Sequence, residues 1–368
     1  MRVALLYGGR SAEHEVSLSS AAGVLRALMS HPEMAVELIG LARNGTWYYQ
    51  DFDAQLQRAQ ADSPLTIAER RDHRVVVLPG DGLAVRGGKA LPVDCVVPIL
   101  HGSFGEDGTL QGLLEMAGLP YVGSGVVGSA VGMDKMRSKQ LWQDHGLPVV
   151  PYLHVAESDL PEGSDVQHLS RVIAERLEFP VFVKPNAAGS SVGISRVTGP
   201  EDLAAALQRA FRVDRVALIE QALSVREIET AVLGNDSPRA FPPGEVIPSH
   251  EFYDYDAKYE DPDGARLVIP ADIPQELAEE IKELSVAAFR AIDGAGLSRV
   301  DCFIVTASDG SHEIYVNEIN TIPGFTPISM YPKMVEAGGI SYAELVIHLI
   351  ELAIERFRRR EARDFLAR

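Results

Sequence analysis

The chain has 368 residues, enough for two or three domains that each bury a core of their own. It carries 34 Lys and Arg against 52 Asp and Glu, so its net charge is −18. So acidic a surface repels nucleic acid and anionic membranes, and we expect neither as a partner. With 46% hydrophobic and 23% charged residues, the composition also excludes bulk disorder.

Three sequence features predict a cytoplasmic protein. The two cysteines, Cys95 and Cys302, lie inside strand-like apolar runs, where buried thiols of a reducing compartment are expected. No apolar run approaches the roughly 20 residues of a membrane span. The N-terminus opens directly on a strand, without the charged and apolar regions of a signal peptide.

The first predicted unit is an N-terminal α/β domain over residues 1–123. Val3–Tyr7 has the pattern of a buried strand ending at Gly8-Gly9, and Ser17–Met29 has helical spacing of apolar residues. Together they open a Rossmann-like sheet, whose ligands bind beyond the carboxyl ends of its strands. Further strands are predicted at Val36–Ala42, Arg74–Leu78 and Cys95–Leu100. Residues 45–91 are otherwise polar and irregular, and we assign them no chemistry.

Two further domains are predicted, at residues 124–221 and 222–368. The central one comprises a helix over Val127–His145, a helix over Val166–Leu177, strands over Pro180–Lys184 and Gly193–Val197, a helix over Pro200–Phe211 and a strand over Val216–Gln221. The C-terminal one comprises an aromatic loop at Glu251–Glu260, a helix over Gln275–Gly294, a hairpin near Arg299–Asn320 and a last helix from Ser341.

A glycine pattern at Gly123–Gly128 matches the fingerprint of dinucleotide-binding proteins. That fingerprint also requires an acidic residue at the end of a second strand, about 20 residues further on. Asp144 lies at about that distance, but it belongs to a helical segment. We therefore interpret the glycines as a domain-linking turn with tight helix packing.

The C-terminal hairpin is predicted to bring four polar residues together. Asp309-Gly310 is a two-residue turn signal that places Ser308 opposite Ser311. In that register four polar residues share one face, in the pairs Asp301 with Glu318 and Arg299 with Asn320. The same face continues with core-like residues, namely Phe303, Val305, Ile314 and Val316.

The two facing carboxylates of this hairpin predict a metal site. Asp301 and Glu318 repel each other across the strands unless a positive charge compensates them. A divalent cation does so, and oxygen donors that include Asn320 suit Mg²⁺ held jointly with phosphates. The other interpretation is a solvated strand end with one acid neutralised by Arg299. We favour the metal.

Two lysines are candidates for binding phosphate. Lys184 ends the apolar run FPVFVKP and precedes the Gly/Ser-rich segment Asn186–Val192, whose backbone N–H groups suit phosphate oxygens. Lys135 in GMDKMRSK begins a helical stretch and supplies a second cation. Taken alone, either lysine is more often a solvated surface charge.

Seven segments carry a resemblance to known proteins, nearly from end to end of the chain. They are GGRSAEHEVSLSS, HGSFGEDGTLQGLLE, YVGSGVVGSAVGMDK, VKPNAAGSSVGIS, EFYDYDAKYE, RVDCF and VNEINTIPGFTPIS. With them the chain resembles the D-alanine–D-alanine ligases of the ATP-grasp superfamily. The resemblance implies a three-domain ATP-grasp fold of the α/β class, α+β in the ATP-grasp part, with an N-terminal Rossmann-like open sheet.

The resemblance also implies an activity. It is the ATP-dependent joining of two D-alanines through an acyl phosphate, with release of ADP and phosphate, for peptidoglycan precursor synthesis. The expected partners are D-alanine, ATP, two Mg²⁺ or Mn²⁺ ions, and a second copy of the chain in a homodimer.

Individual residues receive roles by the same resemblance. ATP is bound by Lys135, Lys184, Glu220, Gln221, Leu223 and Glu227, and the metal ions by Asp301, Glu318 and Asn320. The catalytic residues are Glu15, Ser190, Tyr259, Arg299 and the Gly324 backbone, with Glu15 pairing the ammonium group of the first D-alanine. The substrate-binding residues are His101, Lys258, Ser329 and Met330.

Three other functions stay open at this point. The first is another ATP-grasp carboxylate–amine ligase or a D-alanine–D-lactate ligase, although Tyr259 in AKY favours an amine nucleophile by the resemblance. The second is an oxidoreductase that uses Gly123–Gly128. The third is a catalytically silent nucleotide-binding regulator, against which the intact Lys184, Arg299 and Asp301 argue.

Overall fold

Strands and helices alternate along the chain in a computed structural model that describes residues 1–160, 166–189, 192–248 and 265–363. The strands are β1 (Arg2–Gly8), β2 (Ala35–Leu41), β3 (Trp47–Tyr49), β4 (Val75–Leu78), β5 (Gly82–Val85), β6 (Lys89–Leu91), β7 (Cys95–Ile99), β8 (Tyr152–Ala156), β9 (Val181–Pro185), β10 (Ser195–Val197), β11 (Val216–Gln221), β12 (Arg226–Gly234), β13 (Arg239–Ala240), β14 (Gly244–Pro248), β15 (Ala265–Val268), β16 (Gly296–Thr306) and β17 (His312–Asn320). The helices are α1 (His14–Met29), α2 (Phe52–Gln60), α3 (Thr109–Met116), α4 (Val126–Met133), α5 (Lys135–Asp144), α6 (Gln167–Arg176), α7 (Pro200–Phe211), α8 (Gln275–Ala291), α9 (Met330–Ala337) and α10 (Tyr342–Glu361). The predicted aromatic loop Glu251–Glu260 lies outside the described residues.

The N-terminal sheet has the strand order β3-β2-β1-β7, with β2, β1 and β7 parallel and β3 antiparallel at the edge. Val3–Tyr7 of β1 are fully buried, as a central parallel strand requires. Leu25 and Leu28 of α1 cover one face, and Leu110 and Leu114 of α3 cover the other. The predicted Rossmann-like sheet is therefore confirmed, and the carboxyl ends of β1 and β7 share one edge.

Residues 45–91 are more regular than expected from the sequence. They contain β3, α2 and a small antiparallel sheet in the order β4-β5-β6, and Leu83 of β5 is fully buried against the N-terminal core. The prediction of an irregular stretch was wrong. Its strands span only three or four residues each, too few for an alternating pattern to stand out among the glycines.

The second sheet is antiparallel, in the order β10-β9-β11-β8. Alternation along its strands sends Val183 and Ile219 into a core beneath α6 and α7. Lys184 faces the other way, opposite Leu218, and Glu220 follows two residues later on the same face. This charged pair therefore projects from the side of the sheet that α6 and α7 leave uncovered.

The helix predicted over Val127–His145 is interrupted. α4 ends at Met133 and α5 begins at Lys135, because Asp134 has extended backbone angles. Its side chain caps α5 by accepting a hydrogen bond from the Arg137 N–H at 2.9 Å. The prediction of one continuous helix was wrong, since an apolar pattern does not register a one-residue break at an N-capping aspartate.

The third sheet is antiparallel, in the order β15-β14-β12-β16-β17, with β13 beside β12. One face packs on α8 through Val300, Cys302 and Phe289, and Trp142 of α5 joins the same core. The other face shares a core with α1, α9, α10 and the N-terminal sheet. The segment after β7 consequently meets the segment after β17. The domain bounds 1–123, 124–221 and 222–368 stay a prediction.

Both cysteines are buried and free, as predicted. No single helix among the described residues is long and apolar enough to cross a membrane. Helices α9 and α10 reach that length and composition only as a pair, and they meet at an angle of 99°.

Candidate active site

The polar end of the β16–β17 hairpin has the pairing predicted from the sequence. Asp301 lies opposite Glu318, and Arg299 lies opposite Asn320. The Nε and Nη2 groups of Arg299 each donate to one oxygen of Asp301 at 2.7 Å, and Asn320 Nδ2 donates to Asp301 Oδ2 at 3.1 Å. Asp301 is fully buried, so three N–H donors hold its carboxylate in one orientation.

A β-bulge at Asn317 separates this polar end from the rest of the hairpin. Beyond it the register shifts, and Cys302 lies opposite Val316. One extra residue on a strand sends the following side chains to the other face, so Ile314 and Val316 lie in the core with Cys302. The prediction that these two residues continue the polar face was wrong. Phe303 and Val305, on the unbulged strand, do continue it and are half-buried.

The turn of the hairpin also differs from the prediction. The Ala307 N–H donates to the Ser311 carbonyl at 2.9 Å, so Ala307 rather than Ser308 pairs with Ser311. The turn has three residues instead of two, and Gly310 ends it in the left-handed region at φ +84°. An Asp-Gly signal fits both lengths, because a three-residue turn also takes glycine in that conformation.

On the second sheet, Glu220 holds two lysines. Its carboxylate pairs with the Lys184 ammonium, and its Oε1 lies 2.8 Å from Lys139 Nζ. Burial raises the pKa of Glu220, but the two ammonium groups outweigh it and lower that pKa to about 2. The cluster therefore combines one negative charge with two positive charges. Lys139, which is fully buried, was not singled out from the sequence.

Lys135 joins this cluster to the acidic hairpin. Its Nζ lies 3.4 Å from Glu318 Oε2 and donates to the Ala188 carbonyl at 2.8 Å. The next residue, Met136, donates its N–H to Asn186 Oδ1 at 2.7 Å, so the first turn of α5 is tied to the Gly/Ser-rich segment. The two predicted phosphate lysines and the predicted metal ligands thus lie in one region.

The predicted substrate residue His101 makes a hydrogen bond to the segment after β17. Its Nδ1 lies 2.9 Å from the Ile322 carbonyl, and its Nε2 lies 3.2 Å from Ser20 Oγ. Glu106 holds the same residue from the other side, accepting the Ile322 N–H at 3.0 Å and the Gly102 N–H at 2.8 Å. Burial raises the pKa of Glu106 to about 8, and burial lowers the pKa of His101. We call this set the Ile322 clamp.

Glu15 lies away from this region, contrary to the prediction. Its side chain is 66% exposed and pairs with Arg43 at 2.6 Å. Glu13 faces the region instead: a Cβ on Gly102 or Gly189 would lie 2.7 Å or 3.4 Å from Glu13 Oε2. We therefore replace Glu15 by Glu13. Residues two apart in a helical turn point roughly 200° apart, so only one of the two glutamates in AEHE can face the sheet edge.

The other predicted residues in the described part of the chain lie at the ends of strands and helices or in the segments that connect them. Half-buried members of this set are Gln221, Leu223, Glu227, Gly324 and Ser329. Met330 begins α9 with its side chain buried in the core, which leaves its backbone N–H as the group available to a substrate. Ser190, Lys258 and Tyr259 lie outside the described residues, and their roles stay predictions.

The glycine pattern at Gly123–Gly128 lies in a tightly packed junction. A Cβ on Gly128 of α4 would lie 2.5 Å from the Asp293 carbonyl oxygen, beyond the end of α8. This contact agrees with the interpretation of the pattern as helix packing.

Comparisons with known proteins come from sequence and from structure. A sequence profile described as D-ala D-ala ligase N-terminus matches residues 2–124, and one described as D-ala D-ala ligase C-terminus matches residues 141–351. D-alanine–D-alanine ligase A of Chromobacterium violaceum is 47% identical over 368 residues, covering 98% of this chain and 97% of the relative.

Solved structures agree with these matches. The D-alanine-D-alanine ligase of Coxiella burnetii has a TM-score of 0.81 at 32% identity, covering 98% of this chain and 97% of that one. The VanG D-Ala:D-Ser ligase of Enterococcus faecalis has a TM-score of 0.79 at 33% identity, covering 96% and 99%. The fold is that of the ATP-grasp enzymes, as predicted. The chain belongs to the D-alanine–D-alanine ligase family.

Four titratable residues of the site were missed or misplaced in the sequence analysis, namely Glu13, Glu106, Lys139 and Glu229 of β12, whose Oε2 lies 3.2 Å from Arg299 Nε. Lys139 follows Lys135 by four residues, which places both on one side of α5, and that spacing was a usable signal. For the other three the sequence holds no comparable signal, because each is an ordinary acid until the fold buries it.

Proposed function

We propose that this chain is an ATP-dependent ligase that joins two D-alanines into D-alanyl-D-alanine and releases ADP and phosphate. One observation carries the proposal. The lysine cluster around Glu220 on the second sheet and the acidic pair Asp301 and Glu318 on the third sheet lie close together, and Lys135 contacts the acidic pair through Glu318. Such a pairing of charges suits a nucleotide triphosphate and its metal ions together. The product is a precursor of peptidoglycan.

The nucleotide would lie between the second and third sheets. Lys184 and Lys135 would hold phosphate oxygens, helped by N–H groups of the Gly/Ser-rich segment to which α5 is tied. Glu220, Gln221 and Leu223, at the end of β11, are assigned to the adenine and Glu227 to the ribose. The position of Glu227 at the start of the next strand supports that order along the nucleotide.

Two Mg²⁺ or Mn²⁺ ions fit the donors present on the hairpin. Asp301, Glu318 and Asn320 are all oxygen donors on adjacent strands, and the two facing carboxylates gain from a cation between them. When bound, such ions would supply positive charge that offsets the repulsion between the γ-phosphate and an attacking carboxylate.

The reaction proceeds by attack of the first D-alanine carboxylate on the γ-phosphate, which gives an acyl phosphate and ADP. Lys135 and Lys184 neutralise the phosphate charge and hold it in line with the attacking oxygen. The amine of the second D-alanine then attacks the acyl carbon and displaces phosphate. Arg299 and the Gly324 N–H are assigned to stabilising the oxyanion that forms.

The amino groups of the two substrates need different treatment. Glu13 pairs with the ammonium group of the first D-alanine, which keeps that nitrogen protonated and unreactive. The second amine loses its proton, for which a network of Ser190, Tyr259 and Glu13 is the candidate route. Ser329 and the Met330 N–H, at the start of α9, are assigned to the second carboxylate, and Lys258 is assigned a place beside the phosphates.

The role of His101 changes with the structure. Both of its ring nitrogens already face protein oxygens, on Ile322 and Ser20. We therefore assign it to positioning the segment that carries Gly324, rather than to direct proton transfer.

A ligase with another acceptor is the second candidate, because a D-Ala:D-Ser ligase superimposes on the chain nearly as well as a D-alanine–D-alanine ligase. Phosphate release with Mg·ATP should be measured across D-alanine, D-serine, D-lactate and L-alanine. We expect the highest kcat/KM with D-alanine alone. Release only when D-serine or D-lactate joins D-alanine would select the second candidate, and no release with any of them would reject both.

The protein would act in the cytoplasm as a homodimer. The exposed apolar side chains of Leu113, Met116 and Val127, on the neighbouring helices α3 and α4, support self-association. Sedimentation of the wild type and of Met116→Glu tests this, with a dimer expected for the first and a monomer for the second.

A further inference from the structure

Arg299 lies between two buried carboxylates on two different strands. Asp301 binds the guanidinium along its Nε–Nη2 edge, with both distances 2.7 Å. Glu229, the residue of β12 directly opposite Asp301, places its Oε2 3.2 Å from Arg299 Nε. The Glu229 side chain is 7% exposed. The roles proposed above make use of Arg299 and Asp301, but not of Glu229.

Two buried acids at one arginine exceed what charge neutralisation requires. Asp301 alone balances the guanidinium charge and uses one full edge of it. A second carboxylate opposite Asp301 brings like charges together across the strands, which destabilises the sheet. Glu227 adds a third, and single oxygens of Glu227, Glu229 and Asp301 lie within 4.8 Å of one another. Buried charge that opposes stability is typical of functional sites.

Asp301 also has two tasks that compete for the same atoms. Its oxygens accept hydrogen bonds from Arg299, and in the proposed site they ligate cations. When a cation draws on those oxygens, the hold of Asp301 on Arg299 weakens. In this structure the Nε–H of Arg299 is donated to Asp301, and Glu229 Oε2 lies 3.2 Å from Nε as a partner in an ion pair. When Asp301 turns to a cation, Glu229 can accept that N–H from a different strand and keep the guanidinium aimed at the reacting carboxyl group, where a small displacement is costly.

We propose that Glu229 is a positioning residue that keeps Arg299 in place while Asp301 ligates metal. This inference rests on the proposed function of Arg299 and Asp301.

The test compares Glu229→Leu and Glu229→Gln with the wild type. We expect kcat to fall about tenfold to hundredfold in Glu229→Leu, the range of one hydrogen bond to a charged group, and less in Glu229→Gln, which keeps one acceptor oxygen. The KM for ATP should stay within about twofold of the wild type. Thermal stability should not fall, because the substitution relieves repulsion between like charges.

Glu37→Leu is a matched control on β2 of the N-terminal sheet. Glu37 accepts hydrogen bonds from Arg2 at 3.2 Å and Tyr49 at 2.8 Å, so its loss should lower stability and leave kcat unchanged. A kcat at the wild-type level in Glu229→Leu would overturn the proposal. So would a loss of kcat that is matched by a loss of stability, as in a purely structural role.

A second measurement does not depend on activity. With ¹⁵Nε-labelled arginine, the Nε–H resonance of Arg299, assigned by its absence in Arg299→Lys, should stay sharp in the wild type on addition of Mg²⁺ and ATP. In Glu229→Gln and Glu229→Leu it should broaden or shift. Equal behaviour in all three proteins would overturn the role of Glu229. Failure of the wild type to release phosphate with any acceptor would instead overturn the proposed function, and the resonance would still decide whether Glu229 holds Arg299.

Discussion

The two charge clusters of the site have net charges of opposite sign. On the second sheet one carboxylate holds two lysines, in the set Glu220, Lys139 and Lys184. On the third sheet one guanidinium faces several carboxylates, in the set Arg299, Asp301, Glu229 and Glu318. The first offers surplus positive charge, which suits phosphates, and the second offers surplus negative charge, which suits cations.

This difference shows how a site for a metal–nucleotide complex can be built inside an acidic protein. The protein's net charge of −18 gives phosphates no general attraction, so the positive charge must be concentrated locally. Lys135 Nζ and Glu318 Oε2 lie 3.4 Å apart, at the boundary between the positively charged and the negatively charged region. Substitutions at four acidic positions test this difference between the clusters.

Glu106 is a buried acid that contrasts with both clusters, because its hydrogen bonds among the described residues come from backbone N–H groups rather than from a cation. Its pKa of about 8 lies above the ordinary 4.5, so unfolding releases a proton between these pH values and stability falls as pH rises. The expected loss is about 1.4 kcal/mol per pH unit, or roughly 5 kcal/mol in all.

Urea unfolding of the wild type and of Glu106→Gln at pH 5, 6.5 and 8 measures this loss. The advantage of the wild type should shrink across that range. A stability difference independent of pH would show that the Glu106 carboxyl is already ionised at pH 5.

Glu220→Gln breaks the positive cluster, because it leaves two buried ammonium groups without their carboxylate. The free energy of unfolding should fall by about 3–5 kcal/mol at pH 7. The Glu220 pKa of about 2 lies below the ordinary 4.5, so its stabilisation is complete above pH 4.5 and is lost as the pH falls toward 2. The wild type should therefore lose its advantage over the variant in acid. Equal stability of the two proteins at pH 7 would mean that the lysines do not need Glu220.

Asp301→Asn breaks the negative cluster. We expect kcat to fall about a hundredfold to a thousandfold at limiting Mg²⁺, the usual cost of removing one electrostatic contact to a transition state. Folding stability should fall as well, because the substitution weakens the buried two-point pairing of Asp301 with Arg299. Glu318→Gln should lower kcat alike but change stability little, since Glu318 is less buried and its substitution relieves repulsion toward Asp301. Turnover at the wild-type level in either variant would remove the metal assignment.

Glu13 and Glu15 provide a test with a built-in control, because they are the same residue type two positions apart and only one of them faces the site. Glu13→Gln should raise the Michaelis constant of the first D-alanine about tenfold to hundredfold, with ATP nearly unaffected, because one ionic hydrogen bond contributes about 1.5–3 kcal/mol. Glu15→Gln, which loses only an exposed pair with Arg43, should act like the wild type. The opposite result would restore Glu15 to the site.

The sequence predicted best where local signals and burial agree. α7 was predicted residue for residue, since Pro200 begins it, acids follow in its first turn and its apolar residues repeat with helical spacing. The pairing of Asp301 with Glu318 was predicted correctly although the turn was not, because the three-residue turn and the bulge at Asn317 each shift the register by one residue and the two shifts cancel. Of the two, only α7 followed from local signals alone.

The predictions failed where contacts between distant parts of the chain distinguish residues that have the same local sequence pattern. Glu13 and Glu15 are both acids at the start of α1, and only the fold shows which one the loop after β7 approaches. Lys139 and Glu229 gain their meaning from burial beside charges that are 81 and 70 residues away, at Glu220 and Arg299. The bulge at Asn317 arises inside a strand whose alternation looks unbroken on both sides.

That bulge also determines where the hairpin tolerates a change of chain length. At the tip, residues 306–313 are exposed, so an inserted tag or fluorophore would only lengthen the turn. Between the tip and Glu318, deletion of Tyr315 would exchange the faces of the residues on one side of it and turn either Ile314 or Val316 out of the core. Deletion of Asn317 would only remove the bulge, because Glu318 and Val316 would stay opposite Asp301 and Cys302. A change of chain length is thus tolerated at the tip and disruptive inside the strand, which makes the tip the natural site for attaching a label.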